Sequence, residues 1–346
     1  MMRFQILGWI ERINNMTREI RFATKSESKQ IMMYIDQYWR KGHILTKDET
    51  LFHWQYDGVD DRLNFVLGIE KNESDASESI KGILGFVPYD NSSNKDICLA
   101  LWNVNKDANG FLGIQLLKYL IDYEPHRAIV CTGINKDTTE KIYNFLGIKV
   151  REMIQWYRLG DRNEYKIAKI CNAEIPKTLF ENKYSFYRID EIDKEIFPKD
   201  HDSIPYKNAV YLKHRYFDHP SYKYLVYGVG SNKINKLLLV FRIQECMGSK
   251  ALRLIDCIGN VEILYSVMPH IDELIRDLGC EYCDFYQTGL DEQLLYRAGW
   301  RTVKDSNNII PNYFSPFEQR NVQIYCAASL DKAVLFKGDG DQDRPN

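Results

Sequence analysis

A glycine-containing loop between an apolar strand and an apolar helix is the part of this chain best suited to chemistry. The strand spans residues 97–104, Gly110 and Gly113 follow it, and the helix runs to Ile121. A helix that begins after such a loop directs free backbone N–H groups and the positive end of its dipole toward one point. The pattern therefore predicts a seat for an anion such as a pyrophosphate.

A tyrosine in the next predicted helix could act on whatever that pyrophosphate carries. A second apolar strand follows at 128–134, and the short helix after it contains Tyr143, four residues before Gly147. A positioned tyrosine hydroxyl can serve as a general acid. A buried structural tyrosine gives the same pattern, and we favour the catalytic interpretation.

Length, charge and cysteine usage limit the class of protein. The chain has 346 residues, of which 45% are hydrophobic, so it can bury two cores. A net charge of −2 predicts no nucleic-acid surface. With no run of about 18 apolar residues, no membrane span is expected. The eight cysteines are scattered, which predicts reduced thiols in a cytoplasmic protein without a metal site; Cys280 and Cys283 are interpreted as strand thiols.

The predicted elements repeat along the chain. An N-terminal extension, 1–15, precedes a first domain, 16–172, with the order β-α-α-β-β-β-α-β-α-β. A second domain, 177–330, follows a proline-containing break and repeats this order, and residues 331–346 form an acidic tail. Repetition on this scale predicts two like-folded domains.

These motifs and their order resemble the GNAT superfamily of N-acyltransferases, arranged as a tandem pair. The family's acyl-CoA motif, Arg/Gln-x-x-Gly-x-Gly/Ala, aligns with residues 108–113. Gly113 matches, Ala108 replaces the usual Arg or Gln, Phe111 stands at the middle glycine, and Gly110 lies one place early. The later motif, Tyr-x-x-x-Gly-Phe, matches residues 143–148. The resemblance covers 18 to about 160 by these motifs, and 177–327 by element order.

The resemblance implies a mixed α/β (α+β) fold of two tandem domains, each a mostly antiparallel central sheet flanked by helices. It implies acetyl-CoA, or another acyl-CoA, as co-substrate. The residues expected to hold it are Asn103, Val104, Ala108, Asn109, Gly110, Phe111, Leu112, Gly113 and Asn135, with the backbone of the first two at the thioester carbonyl. In the family the motif tyrosine, here Tyr143, protonates the leaving thiolate.

Acyl transfer to an amine also needs a base and an acceptor site. His53 is the candidate base because a histidine accepts a proton near neutral pH, although a structural role is the commoner one. Trp54 and Tyr56 belong to a segment that lies near the acceptor cleft in the family. We therefore predict that both contact the acceptor.

Two residues of the second half are further candidates for substrate binding. Asp256 lies in an apolar strand, where a carboxylate must be paired or functional, and pairing with Arg253 or Arg242 is the favoured interpretation. Tyr313 lies in a turn-rich loop and offers an aromatic face for stacking on a sugar or a base.

The acidic tail allows two interpretations. Its alternating aspartates predict a disordered end. Alternatively, the apolar residues 333–336 fix its root to the protein, and Arg344 then lies near a phosphate.

The second half differs from the first after its fourth strand. Gly259 is followed by Glu262 at the expected helix start, with no glycine loop, and a carboxylate there disfavours a pyrophosphate. We expect that this half binds no CoA and either forms a wall of the acceptor site or braces the first domain.

The leading hypothesis is an acyl-CoA-dependent N-acyltransferase acting on the amine of a small molecule. By analogy with similar enzymes, the acceptor is a nucleotide-linked amino sugar of surface polysaccharide biosynthesis. The alternatives are a Fem-type aminoacyl transferase and a non-catalytic ligand-binding or scaffold protein with degenerate GNAT domains.

Overall fold

The computed structural model describes residues 16–72, 77–108, 110–175, 183–192, 196–198, 202–231, 234–340 and 343–345. The predicted extension, 1–15, and Asn109 lie outside these residues. Contacts divide the chain into two compact units. We call the part that ends at Arg127, together with Pro345, the N-terminal unit, and residues 128–344 the C-terminal unit.

The N-terminal unit is an antiparallel sheet flanked by helices. Its strands follow one another in space as they do in the chain: β1 (Met16–Thr24), β2 (Arg62–Asn72), β3 (Glu78–Pro88) and β4 (Asp96–Val104). Its helices are α1 (Ser28–Tyr34), which continues into a π-helical turn at Ile35–Trp39, α2 (Glu49–Tyr56) and α3 (Leu112–Tyr123).

Alternation along β2 explains why helices cover both faces of this sheet. Leu63, Phe65, Leu67 and Ile69 are buried in one cluster with side chains of α1 and α2. On the opposite face, a Cβ built on Gly68 would lie 2.7 Å from the Leu112 side chain of α3. Successive strand residues point to opposite faces, so α3 lies on the other side from α1 and α2.

The C-terminal unit contains the remaining elements. Its strands are β5 (Ala128–Thr132), β6 (Lys149–Leu159), β7 (Ser185–Ile189), β8 (Leu225–Ser231), β9 (Ile234–Cys246), β10 (Ser249–Gly259), β11 (Tyr282–Thr288), β12 (Arg301–Thr302), β13 (Tyr313–Phe314), β14 (Phe317–Glu318), β15 (Ile324–Ala328) and β16 (Leu335–Phe336). Its helices are α4 (Lys136–Phe145), α5 (Ala209–Leu212), α6 (Met268–Asp277) and α7 (Glu292–Arg297).

The strands of this unit form a mostly antiparallel sheet in the order β5-β15-β6-β11-β10-β9-β8-β7. Only the β10–β11 pair in this row is parallel. Outside the row, β12 pairs with β6, β16 pairs with β11, and β13 and β14 form a separate hairpin. The predicted fold class, mixed α/β with mostly antiparallel sheet flanked by helices, is confirmed.

Strand β6 explains where the compact units divide. It pairs with β11 on one side and with β15 on the other. Residues 149–159 are therefore held to strands from the second half of the chain. Contacts divide the chain between Arg127 and Ala128 rather than between residues 172 and 177.

The structure bears on two predictions made from composition, one about membrane-spanning helices and one about the cysteines. None of the helices in the described part of the chain is both long enough and apolar enough to cross a membrane. All eight cysteines are free thiols, and Cys280 and Cys283 are buried. Burial raises the pKa of the Cys280 thiol to about 11, so this thiol is neutral and unreactive at neutral pH.

Candidate functional site

Strand β4 of the N-terminal unit carries a β-bulge. Leu84 pairs with Trp102 and Phe86 pairs with Leu99, so Ala100 and Leu101 together face Gly85 of β3. A bulge interrupts the ladder and leaves backbone groups free to bind something else. A Cβ built on Gly85 would lie 2.8 Å from the Phe65 ring, so a larger residue does not fit opposite the bulge.

The bulge precedes the two residues predicted to hold a thioester carbonyl. Asn103 and Val104 lie beyond it, in regular pairs with Ile83 and Gly82. The backbone that leaves the ladder is thus at Ala100 and Leu101, a position that no local sequence signal indicates.

Asn103 is fixed from outside its strand by a buried tyrosine of α1. The Tyr34 hydroxyl lies 3.1 Å from Asn103 Oδ1 and 3.2 Å from the Lys81 carbonyl, so it can donate to either. Burial raises the pKa of Tyr34, which keeps this hydroxyl protonated as a donor. This contact orients the Asn103 carboxamide at the end of β4.

The loop between β4 and α3 leads to an uncapped helix N-terminus. The Ala108 N–H donates to the Asn105 carbonyl at 3.0 Å, which forms a turn. Phe111 occupies the N-cap position of α3, makes no side-chain capping bond, and has 68% of its surface exposed. The first amides of a helix have no partner within the helix, so α3 offers donors and a positive dipole end to an anion.

The two glycines of this segment differ in their surroundings. A Cβ built on Gly110 would meet nothing within 4 Å, whereas one on Gly113 would lie 3.6 Å from the Trp102 and Val104 side chains. A Cβ at Gly113 would thus make an ordinary van der Waals contact with β4, so packing there does not require glycine. The enclosed cleft beside Ala108 and Leu112 has a volume of about 30 Å³, room for a water but not for a phosphate, so an anion must bind on the open side of the loop.

His53 forms a hydrogen-bonded pair with a carboxylate on the surface of α2. Its Nδ1 lies 2.7 Å from Asp57 Oδ1, and its Nε2 lies 3.9 Å from Glu49 Oε1. The carboxylate orients the ring, as in His–Asp pairs that act as bases. The role of His53 as a base stays a prediction.

The two aromatic neighbours of His53 are more buried. The Tyr56 ring has no exposed surface and lies 4.4 Å from the Phe65 ring, centroid to centroid. Trp54 is half-buried and packs against the same core. An acceptor could contact Trp54 directly, whereas Tyr56 supports the wall beneath it.

Tyr143 and Asn135 both lie on α4 of the C-terminal unit. Only 2% of Tyr143 is exposed. Asn135 is the N-cap of α4, and its carbonyl accepts a 2.7 Å hydrogen bond from the Thr139 hydroxyl, while its own side chain caps nothing. The cofactor role of Asn135 and the acid role of Tyr143 stay predictions.

The one parallel strand pair of the C-terminal unit is short. Strands β10 and β11 pair only at Leu252–Cys283 and Arg253–Asp284. Just beyond, a bulge at Ile255 shifts the register between β10 and β9. The chain's own C-terminal segment, residues 335–340 and 343–344, lies there: β16 pairs with β11, and a Cβ built on Gly338 would lie 3.1 Å from Ile255.

Asp343 fixes the end of this segment. Its carboxylate accepts from Arg242 at 2.6 Å and from the Tyr224 hydroxyl at 2.9 Å. Its backbone carbonyl accepts from Arg215 at 2.7 Å. Complete burial opposes ionisation, but Arg242 and Arg215 outweigh it and hold the pKa of Asp343 well below its usual range. Disorder of the tail, the favoured prediction, is wrong for these residues, because buried charges and the apolar root at 333–336 hold it.

Asp256 of β10 is linked to the same segment through Lys207, and its partners differ from the predicted ones. Its carboxylate accepts from Lys207 at 2.6 Å and from the Tyr216 hydroxyl at 2.7 Å, and Asp339 contacts Lys207 at 2.7 Å. Pairing with Arg253 or Arg242 is therefore wrong, because Arg253 binds Asp284. Burial, and two carboxylates sharing one ammonium, raise the pKa of Asp256 to about 6.

Of the remaining candidates in the C-terminal unit, Tyr313 lies outside the C-terminal segment and Arg344 lies within it. Tyr313 is 36% exposed on the β13–β14 hairpin, near the Arg320 guanidinium. Arg344 is buried and donates to the Gly340 carbonyl at 3.1 Å. Their contact with a substrate stays a prediction.

The loop after β10 is closed, unlike the loop after β4. The Asn260 side chain accepts the Glu262 N–H at 3.0 Å and caps a 3₁₀ turn at Val261–Val267. A capped terminus beside a carboxylate is unsuited to an anion. This agrees with the expectation that the second half lacks the seat. Within the described residues, no three His, Cys, Asp or Glu side chains are grouped to hold a metal ion.

Comparisons with known proteins support the fold. No protein-family model and no curated protein matches the sequence. A GCN5-related N-acetyltransferase from Anabaena variabilis superposes with a TM-score of 0.55 and 9% identity, over 90% of this chain and 72% of its own. A conserved protein of unknown function from Enterococcus faecalis gives a TM-score of 0.53 and 8% identity over the same shares. The protein therefore has the fold of the GCN5-related N-acetyltransferases.

Proposed function

We propose that this protein is an N-acyltransferase that uses acyl-CoA, with acetyl-CoA as the natural donor, to acylate the amine of a small acceptor. The observation that carries the proposal is the arrangement in the N-terminal unit of this fold. A bulged β4 is followed by an uncapped α3 N-terminus. The register shift in β4 and the α3 N-terminus, whose first amides have no partner within the helix, fit a thioester carbonyl and a diphosphate.

The fit to acyl-CoA assigns a task to each of these places. When bound, acyl-CoA supplies an activated acyl group as a thioester. The Leu112 and Gly113 N–H groups would hold its diphosphate, and the backbone at Ala100 and Leu101 would polarise the thioester carbonyl. Ala108 contributes no side chain, so binding relies on the backbone.

The proton transfers fall to two side chains in this proposal. With its Nδ1–H donated to Asp57, His53 keeps Nε2 as the nitrogen that accepts a proton from the incoming ammonium. Tyr143 is the donor that protonates the leaving thiolate, as the resemblance implies. An amino sugar, carried on a nucleotide, is the acceptor class that we propose, by analogy with similar enzymes.

Acetyl-CoA binding and turnover test this proposal separately. Acetyl-CoA should raise the thermal unfolding midpoint by mass action. When the protein is incubated with acetyl-CoA and a panel of amines that includes glucosamine, free CoA should be released. Tyr143→Phe should lower kcat and leave the affinity for acetyl-CoA unchanged. An unchanged midpoint at millimolar acetyl-CoA would contradict the proposal.

A non-catalytic binding module is the second candidate. The observation that favours it is the position of the C-terminal segment beside β10 and β11. There the chain itself occupies the neighbourhood of the β10 bulge at Ile255. A midpoint shift with acetyl-CoA, but no CoA released with any amine, would support this reading.

A further inference from the structure

A polar pocket of about 530 Å³ lies in the C-terminal unit, away from the features described above. It lies between α7, the strands β6 and β12, and the loops at 171–174 and 303–308. Each of its eleven lining side chains carries an oxygen, nitrogen or sulfur atom, and none is aliphatic or phenylalanine. The lining exposes about as much carbon surface as polar surface. It therefore suits a ligand that offers both hydroxyl groups and C–H faces.

The floor of the pocket is rigid because Asn308 is fully hydrogen-bonded. Its Oδ1 accepts from the Cys171 and Asn172 amides at 2.8 and 3.2 Å. Its Nδ2 donates to the Tyr157 hydroxyl at 2.9 Å and to the Asn172 carbonyl at 3.1 Å. This buried side chain therefore holds the two loops together before any ligand arrives, which lowers the entropy lost on binding.

The wall of the pocket offers a free carboxylate oxygen. Asp305 Oδ2 accepts from the Tyr296 hydroxyl and, at 2.6 Å, from the Thr302 hydroxyl. Among the described residues nothing donates to Oδ1. Burial opposes ionisation, but these hydrogen bonds, with Arg301 and Lys304 nearby, lower the pKa of Asp305. An ionised acceptor thus faces the pocket.

Two carboxamides complete the wall. Asn172 and Asn307 are exposed and line the pocket, and within the described chain their side chains have no hydrogen-bond partner. Each carboxamide offers both a donor and an acceptor. The half-buried Tyr296 adds an aromatic ring, which lies edge-on to Trp156 at 4.9 Å.

The charges of the pocket exclude a phosphate ligand. Its one guanidinium, on Arg301, lies 3.0 Å from the Glu174 carboxylate. With Asp305 the pocket has a negative balance, which repels an anion. Hydroxyl groups fit instead, since each can donate to Asp305 Oδ1 or to an amide oxygen and accept from an amide N–H. The C–H face of a sugar ring can pack on Tyr296.

We propose that this pocket binds an uncharged monosaccharide. The inference goes beyond the proposed acyl transfer and does not depend on it, because its test contains no acyl-CoA.

Ligand-observed NMR with glucose, galactose and N-acetylglucosamine tests the pocket. At least one of these sugars should show saturation transfer from the protein, and adenosine diphosphate should not displace it. Asn307→Ala and Asp305→Asn should each weaken binding about tenfold, the effect of one lost hydrogen bond. Asn144→Ala, which removes an exposed carboxamide from α4, is the matched control and should change nothing.

Three results would overturn the inference: no transfer to any of the three sugars at millimolar concentration, displacement by adenosine diphosphate, or unchanged affinity in Asn307→Ala. The Asn307 side chain makes no hydrogen bond within the described chain, so its variant should fold as the control does. A thermal unfolding midpoint equal to that of Asn144→Ala confirms this before the affinities are compared.

Discussion

Phe111 stands where helices usually place a capping side chain, and its exposed ring leaves the first amides of α3 available. Phe111→Asp should stabilise the helix by about 0.3–1 kcal/mol through the dipole, yet weaken acetyl-CoA binding by competing for the same amides. Phe111→Ala, which removes the ring without adding a charge or a capping side chain, is the matched control. We expect the unfolding midpoint to rise and the Kd for acetyl-CoA to increase in Phe111→Asp.

The control variant distinguishes competition for the helix amides from the loss of an aromatic ring. If Phe111→Ala weakens acetyl-CoA binding as much as Phe111→Asp does, the ring and not the anion seat holds the cofactor. If neither variant changes the Kd, the seat lies elsewhere.

The shared ammonium of Lys207 predicts a pH dependence at the scale of single residues. Two carboxylates face it, and the pKa of Asp256 is raised from 3.8 to about 6. Between these values the folded state binds more protons than the unfolded chain, so stability falls as the pH rises through this window. The contribution is on the order of 1–3 kcal/mol.

Urea unfolding on either side of pH 6 measures this contribution. Asp339→Asn leaves one carboxylate for Lys207 and keeps an acceptor for the Phe336 N–H. The pH dependence through the window should therefore be smaller in the variant than in the parent. Equal slopes in both proteins would show that the excess carboxylate does not titrate there.

At the scale of elements, the C-terminal segment behaves as part of the sheet. Its charges are buried against Arg242 and Arg215. Asp343→Asn should lower the free energy of unfolding by about 3–5 kcal/mol, because it leaves buried guanidinium groups without their counterion. Asp331→Asn, which removes an exposed pairing with Lys149, is the control and should leave the denaturant midpoint unchanged.

Equal midpoints for the two aspartate variants would mean that the buried charge of Asp343 contributes nothing to stability.

At the scale of the whole molecule, the position of β6 predicts how the chain can be divided. Because β6 pairs with β11 and β15, cutting the chain between 172 and 177 separates it from both neighbours. Fragment 177–346 should therefore lack cooperative unfolding by circular dichroism, and recover it when expressed together with fragment 1–172. Cooperative unfolding of fragment 177–346 alone would support the predicted tandem boundary.

Local signals in the sequence predicted much of this protein. The apolar strand 97–104, the glycine-containing loop and the helix to Ile121 correspond to β4, its loop and α3. The mostly antiparallel sheet and the likeness to the GNAT fold could also be predicted from the order of elements. Such features are encoded by neighbouring residues, through periodicity, capping and turn chemistry.

Tertiary structure alone decided the rest, because it depends on residues far apart in the chain. The insertion of β15 between β5 and β6, the bulge at Ala100 and Leu101, and the Lys207 partner of Asp256 depend on which strands become neighbours. The burial of Asp343 likewise requires two arginines about 100 residues away in sequence. From the sequence alone, a run of charges predicts a solvated tail. Whether those charges are buried and paired depends on the packed chain, because their counterions come from distant residues.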